Sequence, residues 1–260
     1  MRTEYTDPIR YYMKSDQGEL CVNELIGRDV TLRFDGSIHC ILCGRKIRKT
    51  FAQGSCYDCF RNAPENAECI IRPELCLAHE GKGRDPEWER AHHDRPHFVY
   101  LALSSAVKVG VTREDQIPVR WIDQGASEGL VLARCPNRYT AGLMEVFLKT
   151  GMTDRTNWQR MLKNQRSPDS LAAVKEKLRK DLPAEFRSLV TGDSDPTVLS
   201  YPVLEFPEKV KSLKLDRVPE YTGRLNGIKG QYWLFAGGTV WNVRAHGGYD
   251  VLLTDDAVGV

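Results

Sequence analysis

Between Cys40 and Cys59 the chain reads CILCGRKIRKTFAQGSCYDC, two cysteine pairs spaced C-x2-C-x12-C-x2-C. Each pair can turn two sulfurs toward one point, and four thiolates complete the shell of a tetrahedral ion. Gly44, directly after the first pair, permits the turn that faces backbone N–H groups toward sulfur. Four unrelated thiols seldom fall at such intervals. The spacing predicts one structural Zn2+ held by Cys40, Cys43, Cys56 and Cys59, with no position left open for substrate. A segment closed by an ion in this way needs little apolar core of its own.

Residues 39–97 hold six of the eight cysteines and five of the six histidines. Within them Cys69, Cys76, His79 and His93 give C-x6-C-x2-H-x13-H, a candidate set for a second zinc. His92 and His97 are nearby alternatives, and each histidine can equally be a hydrogen-bonded surface residue. Cys21 and Cys135 stand alone and read as plain buried thiols. No apolar run resembles a signal peptide or spans a bilayer; even HFVYLALSSAVKVGV is interrupted by Lys108. The expectation is a cytoplasmic chain with no membrane association, in which close cysteines bind metal rather than form disulfides.

The formal net charge is only +2, so bulk charge does not mark a polyanion binder and any basic surface must be local. Arg45, Lys46, Arg48 and Lys49 are such a cluster on the first knuckle. They can contact phosphates, offset the −2 of a zinc tetrathiolate, or simply be a solvated face.

The patterning indicates an α+β chain in four parts. Residues 1–38 form a β segment: RYYM, ELCVNEL and DVTLRF read as strands broken at Asp16-Gln17-Gly18 and Gly27-Arg28-Asp29, with a further turn at Asp35-Gly36. Residues 39–96 are the zinc ribbon and the Cys/His-rich segment. Residues 97–195 are an α/β domain: HFVYLAL and VKVGVT are strands joined at Ser104-Ser105-Ala106, a helix follows from Thr140 to Lys149, and Ser167–Ser170 caps the charged helix LAAVKEKLRKDL. Residues 196–260 form a small barrel-like β domain with a QYWLFA/TVWNVR hairpin turning at Gly237-Gly238. Tyr232, Trp233, Phe235, Trp241 and Tyr249 are better read as that domain's core than as a base-stacking platform.

Period-two alternation sorts the central hairpin. Val99, Leu101, Leu103, Val107, Val109 and Val111 make a core face. Phe98, Tyr100 and Ala102 share the other with Lys108, Gly110 and Thr112, where Gly110 leaves room for a phosphate or another backbone. The order F-V-Y, K-V-G-V-T-R, Arg120, then a helix with Glu145, resembles the GIY-YIG nuclease superfamily over roughly residues 97–165, in the branch whose second triplet begins with lysine. The longer string YLALSSAVKVGVTR…PVRWIDQGA, with cysteine pairs upstream and GRLNGIKGQY near the C-terminus, also resembles a bacterial family known only as a domain of unknown function.

The nuclease resemblance implies roles residue by residue. Tyr100 would contact the attacking water or scissile phosphate, Lys108 would replace the second-triplet tyrosine, and Gly110 would match its glycine. Arg120 would stabilise phosphate charge, Glu145 would carry a catalytic Mg2+ or Mn2+, and Asn157 would be the polar residue beyond that helix. Gly110 and Thr112 would join Arg45, Lys46, Arg48 and Lys49 in contacting DNA or RNA. Phe98 and Val99 depart from the first triplet's glycine and isoleucine, and the seven-residue gap between triplets is short. Each residue also has a plain structural reading: Tyr100 as a strand tyrosine, Lys108 snorkelling, Glu145 paired with Lys149 four residues on. A helical wheel sets Glu145 opposite the centre of Leu143, Met144, Val146 and Phe147, although Ala141 and Leu148 flank it, so that its side of the helix can be covered too. The functional expectation is metal-dependent phosphodiester hydrolysis, with a non-catalytic zinc-containing nucleic-acid binder or a protein-interaction scaffold as alternatives.

Overall fold

The computed structural model describes residues 1–16, 18–152 and 157–255. Gln17, in the middle of the first expected turn, lies outside them. In chain order the elements are β1 (Arg2–Glu4), β2 (Arg10–Ser15), β3 (Gly18–Cys21), β4 (Asp29–His39), β5 (Lys46–Ile47) and α1 (Tyr57–Asn62). Next come α2 (Pro86–His93), β6 (His97–Leu103), β7 (Val107–Arg113), α3 (Val119–Asp123), β8 (Glu128–Cys135), α4 (Arg138–Lys149), α5 (Trp158–Leu162), α6 (Leu171–Asp181), α7 (Ala184–Arg187) and β9 (Thr197–Val198). The chain ends in β10 (Lys211–Leu213), β11 (Glu220–Lys229), β12 (Tyr232–Phe235), β13 (Thr239–Asn242) and β14 (Tyr249–Asp255). The class is α+β, as the patterning indicates.

The chain divides into two compact units. The first comprises residues 1–60, 162–164 and 200–260. It holds a three-stranded sheet, β1-β2-β3, and a curled half-barrel sheet in the order β10-β13-β12-β11-β4-β14, with β5 added on β4. The expected hairpin forms: β12 and β13 pair antiparallel, with Gly237 at φ 73° in the turn. Trp233, Phe235 and Trp241 are buried, and Trp233 meets Trp241 edge-on at 5.3 Å, so these aromatics are core. A β segment at 1–38 and a separate C-terminal β domain are not what forms. β4 lies between β11 and β14, hydrogen-bonded to both, so the two ends of the chain build one sheet.

Two local expectations change. Asp35-Gly36 is not a turn but an irregularity inside β4, where the register against β14 slips; Gly36 takes φ 94° and Asp35 accepts the Ser37 N–H at 2.8 Å. ELCVNEL stops being a strand at Cys21 and continues as one turn of 3-10 helix, because Val22 and Leu25 both go inward.

The second unit comprises residues 61–161 and 165–199. Its sheet runs β7-β6-β8-β9, antiparallel throughout. β6 is central and almost wholly buried, whereas alternation alone would bury one side. One face carries Val99, Leu101, Leu103, Val107 and Val109, which pack with Leu130 and Leu132 beneath Ala141, Met144 and Leu148 of α4 and Leu171 of α6. The other face is covered by α3, whose Trp121 lies so close over Gly129 that a Cβ there would collide with its ring. Asn137 caps α4 through the Thr140 N–H, and Ser170 caps α6 through the Ala173 N–H.

Candidate functional site

β4 ends at His39 and delivers Cys40 off the rim of the sheet. The first knuckle closes when Cys40 N–H donates to the Arg45 carbonyl and Gly44 N–H to the Cys40 carbonyl, both at 2.9 Å, with Gly44 left-handed at φ 71°. β5 then runs back along β4, and a bridge between Phe51 and Ser55 returns the chain to Cys56. Cys56 N–H reaches Cys40 Sγ at 3.2 Å, and Cys59 N–H reaches Cys56 Sγ at 3.4 Å. All four sulfurs lie within 4.8 Å of one another, and Cys43 and Cys56 are 3.8 Å apart. Two thiolates about 2.3 Å from a tetrahedral ion sit roughly 3.8 Å apart. The cluster therefore fits a metal ion such as zinc. Burial resists ionisation of Cys40, but the N–H groups of Cys43, Cys56 and Leu42 outweigh it and bring the thiol down to about 6.

Arg45, Lys46, Arg48 and Lys49 are all exposed around this knuckle. Arg45 pairs with Asp58 at 2.8 Å, and Lys49 stands 5.1 Å over the Phe51 ring. Tyr57, inside the second cysteine pair, and Phe60, directly after it, are also exposed, although Phe51 meets both rings at 5.3 and 5.8 Å. Attention to charge and cysteine spacing passes over these aromatics. The available signal was C-Y-D-C-F itself, two rings placed where a knuckle cannot bury them.

The second candidate set is gathered with one exchange. Cys69, Cys76 and His93 come together, and the fourth group is Glu89; their ligand atoms lie within 4.8 Å and all four residues are buried. His79 is not part of it. Its ring stacks on Tyr139 at 4.6 Å. His92 stacks on Trp88 at 4.0 Å, and buried His97 hydrogen-bonds the Arg95 carbonyl at 2.8 Å. Asp85 caps α2 and Pro86 opens it, which sets Glu89 and His93 four apart on one face.

On the hairpin, Tyr100 pairs with Gly110 and Ala102 with Lys108, so the tyrosine and the lysine share a face. α3 brings Arg120 and Gln124 over it. The Gln124 amide donates to the Tyr100 hydroxyl at 2.6 Å. Burial pushes the Tyr100 pKa up, while Arg120 and Gln124 act against it. Burial, helped by Arg120, brings Lys108 down to about 8. Gly110 leaves no room for a phosphate: a Cβ there would lie 2.5 Å from the Tyr100 hydroxyl, which fills the space. Thr112 is buried as well. Glu145 lies on α4, whose Ala141, Met144 and Leu148 pack on the opposite face, yet its charge reaches Tyr100 and adds to the upward push on that hydroxyl. Glu145 is buried, its pKa is raised by that burial, and Lys149 pairs with it at 3.4 Å. Of the apolar set opposite Glu145, Met144 is buried but Leu143, Val146 and Phe147 are exposed, whereas Ala141 and Leu148 beside it are buried and Gly142 meets the backbone of Pro73 and Glu74, so the Glu145 side of α4 faces inward. Asn157 caps α5, accepting the Arg160 N–H at 3.1 Å. Cys135 is a buried thiol as expected, pushed up to about 12, while Cys21 is only half-buried.

No helix among the described residues is long and apolar enough to cross a membrane. No curated protein and no solved structure matches the chain, and the family match that exists is not to GIY-YIG nucleases. That match, over residues 27–251, is to the family described as "Protein of unknown function (DUF2797)", and it takes in β4, β5 and β10 to β13 of the curled sheet with the start of β14, both cysteine clusters and the hairpin face. The chain belongs to the DUF2797 family.

Proposed function

We propose that the chain is a zinc-containing nucleic-acid-binding protein whose contact surface is the four-cysteine knuckle. The observation that carries this is the presence of exposed cations and exposed rings on one knuckle: Lys46, Arg48 and Lys49 are exposed, as are Tyr57 and Phe60, and Lys49 stands over Phe51, the ring that both aromatics meet. Cations neutralise phosphates, and rings that are held but not covered stack on unpaired bases. The zinc fixes both turns of the knuckle and so presents the rings; with four protein ligands it takes no part in chemistry. Single-stranded substrate is favoured because stacking needs bases that are not already paired. Fluorescence anisotropy with short oligonucleotides should show affinity falling with salt, and Lys46→Ala with Lys49→Ala should reduce the slope of log K against log salt by about 0.7 per residue. Tyr57→Ala should cost about 1–3 kcal/mol at every salt concentration. Absence of binding at low ionic strength would leave the interaction-scaffold alternative in its place.

A second reading, phosphodiester hydrolysis, is favoured by one observation, the amine of Lys108 poised at about 8 beside Tyr100 and Arg120. Lys108 would take the proton from water, neutral Tyr100 would orient it, and Arg120 would balance charge on the phosphate. A bound Mg2+ or Mn2+ would supply Lewis acidity to the phosphate. Glu145 offers that ion one carboxylate, already against Lys149, a donor set that fits only a largely hydrated ion. If this reading holds, cleavage rises with pH through about 8 and levels above it, as Lys108 loses its proton, and Lys108→Met removes the rise. Arg120→Ala should cost about a hundredfold or more, and Glu145→Gln should abolish metal-dependent cleavage. Protein inert on single- and double-stranded DNA and RNA with either metal removes the reading.

A further inference from the structure

We propose a second zinc site, formed by Cys69, Cys76, Glu89 and His93, that anchors residues 68–93 to helix α4. Four electron-pair donors from two separate stretches of chain point at one another inside the protein. Cys69 Sγ lies 3.8 Å from His93 Nδ1, and Glu89 Oε2 also lies 3.8 Å from Nδ1. These gaps are too long for good hydrogen bonds. They are near the ~3.4–3.8 Å edges of a tetrahedron whose centre is ~2.0–2.3 Å from each donor. The Glu89 and His93 side chains are 3 % and 4 % exposed, so water does not solvate the carboxylate. A buried carboxylate facing two thiols and an imidazole is costly without a cation and coherent with one.

The surroundings are those of a ligand set held in place. Glu89 Oε1 accepts the Arg84 N–H at 2.8 Å, fixing the carboxylate's orientation. Gly83 allows that approach, since a Cβ there would collide with the carboxylate itself. Two thiolates, one carboxylate and a neutral imidazole around Zn2+ leave a net charge of −1. Buried Arg138 supplies the compensating charge: it donates to the carbonyls of Cys69 and Ile70 at 2.9 and 2.8 Å. Mixed sulfur, nitrogen and oxygen donors suit zinc better than a hard ion. Arg138 is the first residue of α4, and one turn on Gly142 brings the Pro73–Glu74 backbone against the same helix. The ion thus ties the irregular 68–80 stretch and α2 to α4.

Metal analysis of the purified full chain is expected to give two zinc equivalents for wild type and for His79→Ala, but one for Cys76→Ser and for Glu89→Ala. Replacement by Co2+ gives a reading that bears on ligand identity. Six cobalt–thiolate bonds are expected in wild type, and losing the second site should remove about a third of the charge-transfer absorbance. Should Cys76→Ser fold poorly, the nearly isosteric Glu89→Gln serves instead, releasing its second zinc to a chelator at least tenfold faster than wild type. One equivalent in wild type, or loss of the second zinc in His79→Ala but not in Glu89→Gln, overturns the proposal.

Discussion

The two cysteine clusters solve one problem in opposite ways. In the first, all four donors come from twenty consecutive residues, at least one sulfur (Cys43) is exposed, and backbone N–H groups supply the surrounding contacts. In the second, the donors come from irregular 3-10 turns and from a helix, all are buried, and an arginine on another helix supports them. The difference teaches where the energy of each resides. The first knuckle is partly open to solvent, and an ion bound there would supply much of its folding energy. The second is buried in a packed region, where the ion relieves a penalty that packing has created.

The largest expected effect follows from the first half of that contrast. Cys56→Ser should cost several kcal/mol and make residues 40–59 sensitive to protease, because metal affinity there is folding energy; wild-type resistance in metal-free protein would break the comparison. Chelator should next separate the clusters in time. The first, with Cys43 open to solvent, should release its ion quickly, and the second only as fast as the region around α4 opens, which stopped-flow with a colorimetric chelator can follow. Gly83→Ala should cost about 1–3 kcal/mol by driving a methyl into the Glu89 carboxylate, whereas Gly36→Ala, with open space around it but φ at 94°, should cost about 1–2 kcal/mol through backbone strain alone and leave metal content unchanged. The smallest change is His79→Ala, which removes a ring stack on Tyr139 and should shift stability by about 0.5–1.5 kcal/mol without moving zinc.

What could be read in advance follows from how local each feature is. Cys40, Cys43, Cys56 and Cys59 announce themselves because both pairs are made by single turns. The β12–β13 hairpin is legible for the same reason, two alternating runs around Gly237-Gly238. Glu89 is not legible. On an eight-residue helix among charged neighbours it looks like a surface residue, and only packing against Cys69 and Cys76 buries it. Glu145 misleads in the converse way, since Leu143, Val146 and Phe147 opposite it on the wheel face solvent, while Ala141 and Leu148 beside it are buried and the backbone near Gly142 encloses the acid. The central place of β4 leaves no local trace, because its partners β11 and β14 lie far along the chain. Asp35-Gly36 carries the composition of a turn, yet the strand continues through it because pairing on both sides outweighs local preference.

That strand has a consequence for the order in which the protein is made. Arg33 of β4 meets Glu220 of β11 across 187 residues of sequence. At a synthesis rate of roughly 5–20 residues per second, β4 waits on the order of 10–40 s before its neighbours exist. During that interval only the two residues of β5 lie beside it, and the second unit is produced between the two main parts of the first. The cysteine knuckle that follows β4 needs only residues 40–59 to close on its ion. A metal bound there would hold the nascent chain immediately beside an unfinished strand, and the sheet that the strand begins is completed only once β14 has been made.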